Sequence, residues 1–211
     1  MLSRGMPKVV DHAQRRAELA RAVWAVIGRE GIEGATVRRV AEEAGVSVGG
    51  LRHYFDSQQG LLRFAAEAMA GSVRARVAEH LRADLPDVER ARLILEEFLP
   101  LDEPRSVEVD VWLACLVRSR FDASFDELRR ISGVGERHLC RLALAYCRGV
   151  APPGDIGQRL DTGLLEQQAE RLHLFMDGLT LQAAMYPTEF PPEQVRMTLR
   201  RELGLLARGE Y

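Results

Sequence analysis

Thr36 to Leu62, TVRRVAEEAGVSVGGLRHYFDSQQGLL, reads as two short helices joined by a tight turn, with a third helix starting at its end. Thr36 is placed to cap the first helix, its hydroxyl accepting from a backbone N–H that the first turn leaves free. Val37, Val40, Ala41 and Ala44 recur at helical spacing and form a narrow apolar face. Gly45 ends that helix, since it takes the left-handed conformation without steric cost. Val46 fills the corner and Ser47 caps a second helix, expected over residues 48–54. There Leu51 and Phe55 are the only large aliphatic or Phe anchors, which leaves Val48, Gly49, Gly50, Arg52, His53 and Tyr54 for an outside surface.

The run Ala41-x-x-x-Gly45-Val46-Ser47-x-Gly49-x-x-x-His53-Tyr54-Phe55, followed by Gly60-Leu61-Leu62, resembles the helix-turn-helix of the TetR family of bacterial transcriptional repressors. The match covers about 45 residues, from the first helix to Phe64. It implies that two copies of this module are carried on DNA by a symmetric dimer.

With 211 residues, 46% of them hydrophobic and 28% charged, the composition is that of an ordinary globular protein. No stretch approaches 18 uninterrupted apolar residues and the N-terminus lacks a signal-peptide core, so a cytoplasmic protein with no membrane partner is expected. The net charge of -2 hides an asymmetry. To residue 65 there are ten Arg or Lys against seven Asp or Glu, a balance of +3; the remainder has nineteen against twenty-four, a balance of -5. Positive charge sits in the segment expected to meet phosphates. Cys115, Cys140 and Cys147 are odd in number and lie in apolar surroundings, which points to buried free thiols. Cys140 and Cys147, with His138 nearby, lack metal-ligand spacing, and neither a metal nor a cofactor is expected.

Around the opening stretch the chain reads as helices throughout. A first helix over 11–30 carries Ala13, Ala17, Ala20, Val23, Trp24 and Ile27, and Gly31 stops it. Ser57 caps a helix of about 25 residues bearing Leu61, Leu62, Ala65, Met69, Val73 and Val77. Further helices are expected over 88–99, 105–121, 124–148, 164–186 and 191–207, with breaks at Leu85-Pro86-Asp87 and Glu103-Pro104. The helix over 105–121 is strongly apolar and expected to be central; residues 149–163 are the clearest loop and expected to be flexible. Nine helices and no convincing strand make the fold all-α: a three-helix DNA-binding domain at 1–56 and an effector-binding and dimerisation domain at 57–211.

Val109-Asp110-Val111-Trp112-Leu113-Ala114 and Phe175-Met176-Asp177-Gly178-Leu179-Thr180-Leu181 are similar to the C-terminal domain of the BetI-like branch of TetR-family regulators. That resemblance implies a small-molecule effector, of unknown identity, and a homodimer made by the last two helices.

On the DNA side, a two-turn recognition helix fits the major groove. Arg52 is the expected base reader, because a guanidinium can meet O6 and N7 of guanine together; family members more often carry tyrosine there. The resemblance assigns Thr36, Ser47, His53 and Tyr54 to phosphates or sugars, which fix register without reading sequence. Val48, Gly49 and Gly50 complete the surface, the glycines allowing close backbone approach. Gln58 stands where many relatives have a phosphate-clamping lysine. Lys8, the only lysine in the chain, with Arg15 and Arg16, is placed to reach the duplex backbone. The operator should be a near-palindromic double-stranded DNA with half-sites about 34–36 Å apart.

The effector pocket is expected among the central helices, with Met69, Phe98, Trp112, Leu116, Phe175 and Met176 as walls and Asp110, Cys115 and His173 as polar points. An enzyme would need a nucleophile with a base, paired carboxylates or a phosphate loop; G-x-S-x-G, H-E-x-x-H and Walker patterns are absent from the sequence. A DNA-bound adaptor that acts through protein partners and needs no ligand is the alternative reading.

Overall fold

A computed structural model describes residues 12–55 and 57–210, and no strand occurs among them. Nine α-helices follow in order: α1 His12–Gly34, α2 Val37–Glu43, α3 Val48–Leu51, α4 Gln58–Arg82, α5 Asp87–Glu96, α6 Glu103–Ser119, α7 Asp126–Arg148, α8 Gly163–Met185 and α9 Pro192–Arg208. One 3-10 turn, Ala123–Phe125, precedes α7. The chain forms two compact units, Met1–Ala68 and Met69–Tyr211. α4 begins at Gln58, and its residues Gln58 to Ala68 belong to the first unit.

In the first unit the buried face of α1 is Leu19, Val23, Val26 and Ile27. Ala17, expected on that stripe, is exposed and Trp24 only half-buried. Gly31, with φ 71° and ψ 174°, breaks the helix where expected, and a short helical piece then runs to Gly34. Phe55 and Phe64 pack with ring centroids 5.3 Å apart, and Tyr54 meets the Phe64 ring edge-on at 6.3 Å. Leu51, Leu61 and Phe64 are almost fully buried, so the short α3 is held by packing rather than by its own hydrogen bonds.

In the second unit α7, not α6, is central. It packs on α5, α6, α8 and α9, and its residues 140–145 are all buried. The apolar composition of α6 misleads because part of it faces solvent: Val117 is 61% exposed. α6 also starts earlier than expected. Asp102 accepts from the N–H of Arg105, and Pro104 occupies the first turn, where its missing N–H costs nothing. The break after α4 is sealed by Arg90, whose guanidinium donates to the carbonyls of His80, Leu81, Ala83 and Leu85. Arg76 of α4 pairs with the buried carboxylates of Glu97, beyond the end of α5, and Glu108 of α6.

Residues 149–162 form a loop tied down near its far end. Leu160 is buried and its N–H donates to Glu166, while Arg141 donates to both Glu166 oxygens at 3.0 Å. Burial alone would raise the Glu166 carboxyl, but the hydrogen bonds from Arg141 and Leu160 and the charges of Arg141 and Arg159 hold it below its ordinary value. This pinning corrects the expectation of a flexible loop at that end.

Candidate functional site

Two sites emerge, one in each unit. In the first, the Thr36 hydroxyl accepts from the Arg39 N–H at 3.2 Å and that of Ser47 from the Gly50 N–H at 3.1 Å, as their capping positions require. Gly45, at φ 64°, makes the turn between the two helices. α3 itself is only one turn, shorter than the expected span to Tyr54. Beyond it the Leu51 carbonyl accepts from the N–H groups of both Tyr54 and Phe55, so residues 52–54 tighten into a turn rather than a second α-helical turn. Arg52 and His53 sit exposed on that turn.

Neither the Arg52 nor the His53 side chain has an ion pair or side-chain hydrogen bond among the described residues. Their basic neighbours on the same unit are engaged: Arg38 with Glu42, Arg39 with Glu30 and Glu42, Arg29 with Glu30 and Glu43. Val48 is 41% exposed, and Gly49 and Gly50 are exposed beside it. An added Cβ would come no closer than 3.9 Å to a neighbour at Gly49 and 3.4 Å at Gly50. The fold therefore does not require glycine at position 49, although glycine weakens a helix.

Other expected DNA contacts are already engaged within the unit. Arg15 pairs with Glu18 at 3.1 Å, and Arg16 pairs with Glu67 while its guanidinium lies 4.7 Å from the centre of the Phe64 ring. Arg16 thus braces α1 against α4. Tyr54 is half-buried against Phe64. The Gln58 amide donates to the Ile32 carbonyl at 3.1 Å. Lys8 lies outside the described residues.

In the second unit, the expected effector residues separate into groups. Met176 belongs to the main core, with Phe98 and Phe175 packed against it. Met69 and Leu116 are half-buried, and Asp110 is exposed. Cys115 is buried, and burial pushes its thiol up to about 12. Cys140 and Cys147 are also buried free thiols, as their surroundings implied.

Trp112 and His173 converge on a residue that sequence reasoning missed. Trp112 Nε1 donates to Glu136 Oε1 at 2.8 Å, Ser132 Oγ donates to the same oxygen at 2.6 Å, and His173 Nε2 lies 3.3 Å from Glu136 Oε2. Asp177, one turn beyond His173, brings Oδ1 to 3.7 Å from the same ring nitrogen. Burial, with the charge of Glu136 adding to it, raises the Asp177 carboxyl above its ordinary value against the opposing pull of His173. Ser132 and Glu136 on α7, like His173 and Asp177 on α8, are four residues apart, which puts each pair on one helix face. That spacing is visible in the chain; the meeting of the two faces is not.

Residues 19–64 match the family described as bacterial regulatory proteins, tetR family, and residues 87–208 match that described as BetI-type transcriptional repressor, C-terminal. The chain is 34% identical over 203 residues to the HTH-type transcriptional regulator PksA of Bacillus subtilis (strain 168), covering 94% of this chain and 92% of that protein. A transcriptional regulator from Rhodococcus sp. Rha1 is 31% identical with a TM-score of 0.72, covering 92% of this chain and 96% of that one. The multidrug binding protein EbrR, in a structure complexed with imidazole, is 28% identical with a TM-score of 0.57, covering 96% of this chain and 97% of that one.

Proposed function

This chain belongs to the TetR family of bacterial transcriptional regulators, with a BetI-type C-terminal domain, and we propose that it is a repressor that binds a near-palindromic operator as a homodimer and is released by a small-molecule effector. The family consists of regulators rather than enzymes, and its N-terminal domain binds DNA. The observation that carries the proposal is the exposed surface of Val48, Gly49, Gly50, Arg52 and His53, with two basic side chains free of partners among the described residues. Arg52 reads a base and His53 holds the backbone, with the Thr36 and Ser47 hydroxyls, whose oxygens cap helices, still able to donate to phosphates.

Homodimerisation is supported by an exposed stripe on α8, where Leu174, Gly178, Leu181 and Met185 recur at helical spacing, with Met197 exposed on α9. Two recognition surfaces give the dimer the affinity that one short helix lacks. The effector occupies the second unit near Trp112 and His173; the complex of EbrR with imidazole supports a ligand-holding role for this fold. Release is a population shift bounded by the effector's preference for one state, with about 1–3 kcal/mol of coupling giving about 5- to 150-fold weaker operator binding. Among the described residues no helix is long and apolar enough to cross a membrane.

Phe121, 83% exposed, and Val117 suit the alternative of a ligand-independent adaptor that holds a protein partner. Retention of genomic DNA fragments by the purified chain tests the main reading: one or a few enriched fragments with inverted repeats are expected, and no enrichment over bulk DNA would sink it.

A further inference from the structure

We propose that Glu136, His173 and Asp177 form a binding site for a divalent first-row transition-metal ion of the Zn2+ class. The inference deepens the reading that the second unit holds a ligand, and rests on it only for location.

Among the described residues these three side chains are the one group of His, Cys, Asp or Glu whose donor atoms all lie within 4.8 Å of one another. The donors are not merely acidic neighbours. His173 is 8% exposed, and its Nε2 faces an oxygen of each carboxylate, at 3.3 Å and 3.7 Å. A tetrahedral ion with metal–donor bonds of about 2.0–2.2 Å holds its donors about 3.3–3.6 Å apart. Both distances fall near that range before any ion draws the groups together.

The surroundings orient the donors as an outer shell does. Trp112 Nε1 and Ser132 Oγ both engage Glu136 Oε1, which fixes the carboxylate with Oε2 turned towards His173. His173 and Asp177 chelate from successive turns of α8, while Glu136 comes from α7, so binding would clamp two helices of the core. One imidazole nitrogen with two carboxylate oxygens suits Zn2+, Co2+ or Mn2+ better than Mg2+ or Ca2+, which prefer oxygen alone. Two carboxylates this close repel one another when both are ionised, and a dication between them removes that repulsion. Cys140, one turn beyond Glu136 on α7, is fully buried, and its thiol is pushed well up by burial and by the charges of Glu136 and Asp177. It borders the site as a neutral thiol and is not assigned as a ligand.

The test uses the full chain stripped of metal by chelator dialysis, in the absence of DNA, titrated with Co2+ and, by equilibrium dialysis, with Zn2+. Expected are saturable uptake of one ion per chain, d–d absorption without thiolate-to-cobalt charge transfer, and unchanged uptake in Cys140→Ser. His173→Ala should abolish uptake. Asp177→Asn, at a half-exposed position that folding tolerates, should weaken it, and Trp112→Phe should weaken it about 10–100-fold by freeing Glu136. The proposal is overturned by no saturable uptake, by uptake indifferent to both His173→Ala and Asp177→Asn, or by thiolate bands that vanish in Cys140→Ser. Any of these would leave operator binding untouched, since that is read separately from retained DNA fragments.

Discussion

The side-chain amide of Gln58 donates to the backbone carbonyl of Ile32 at 3.1 Å, joining the start of α4 to the end of α1. The same carbonyl also accepts from the Ala35 N–H at 3.2 Å, so it is not orphaned when Gln58 is removed. Gln58→Ala should therefore cost only about 0.5–1.5 kcal/mol, measured by denaturant unfolding. Gln58→Lys tests the DNA side. A lysine that reaches a phosphate steepens the plot of log affinity against log salt by about 0.9, and equal slopes would show that no phosphate is gained.

Gly49→Ala separates stability from function. The new methyl meets only the Ser47 hydroxyl, at 3.9 Å, so the variant should be more stable by roughly 0.5–1 kcal/mol through better helix propensity. It should also bind operator more weakly, because the methyl stands where the backbone must approach DNA. Thermal unfolding beside a DNA titration checks both, and undiminished affinity would remove the reason given for this glycine.

Arg52→Ala should lose about 1–3 kcal/mol of discrimination at one base pair in each half-site while affinity for unrelated DNA changes little. Binding to operators altered one base pair at a time reads this directly. Uniform weakening across all sequences would mean that Arg52 holds phosphate instead.

The buried Arg141–Glu166 pair sets an acid limit on stability. The Glu166 carboxyl lies below its ordinary value of 4.5 in the folded chain, so its contribution is complete above that value and is lost as the pH falls through the lower, folded one. Glu166→Gln leaves Arg141 buried beside a neutral partner and should cost about 3 kcal/mol at neutral pH. The gap to the wild type should shrink below pH 4.5. Unfolding measured across a pH series decides it, and a gap constant with pH would exclude the pair as the cause.

Leu174→Glu and Leu181→Glu each place a charge in the exposed stripe of α8. Neither side chain is buried within the chain, so the fold should stay intact while sedimentation shows a dimer becoming a monomer. A dimer that survives both changes would place the interface elsewhere.

The sequence by itself determined which stretches are helical and the caps and turn of the helix-turn-helix, though not where α3 ends or α6 begins. Thr36, Ser47 and Gly45 act locally, on backbone groups a few residues away, and each does in the fold what its position required. Most of the outside surface of α3 was legible for the same reason: Leu51 and Phe55 supply the anchors, and what remained faces out except Tyr54, which is half-buried against Phe64. Tertiary structure alone decided which charges are free. Arg16 reads as a solvent-facing base until Glu67, 51 residues on, is brought beside it. It likewise decided that α7 rather than the more apolar α6 is central, because burial depends on what surrounds a helix and composition reports only what the helix offers. The cluster of Glu136, His173 and Asp177 belongs to this second class. Each pair spaced four apart marks one face of one helix, but helical periodicity carries no information about which face of α7 meets which face of α8; packing chooses that, and with it the chemistry of the site.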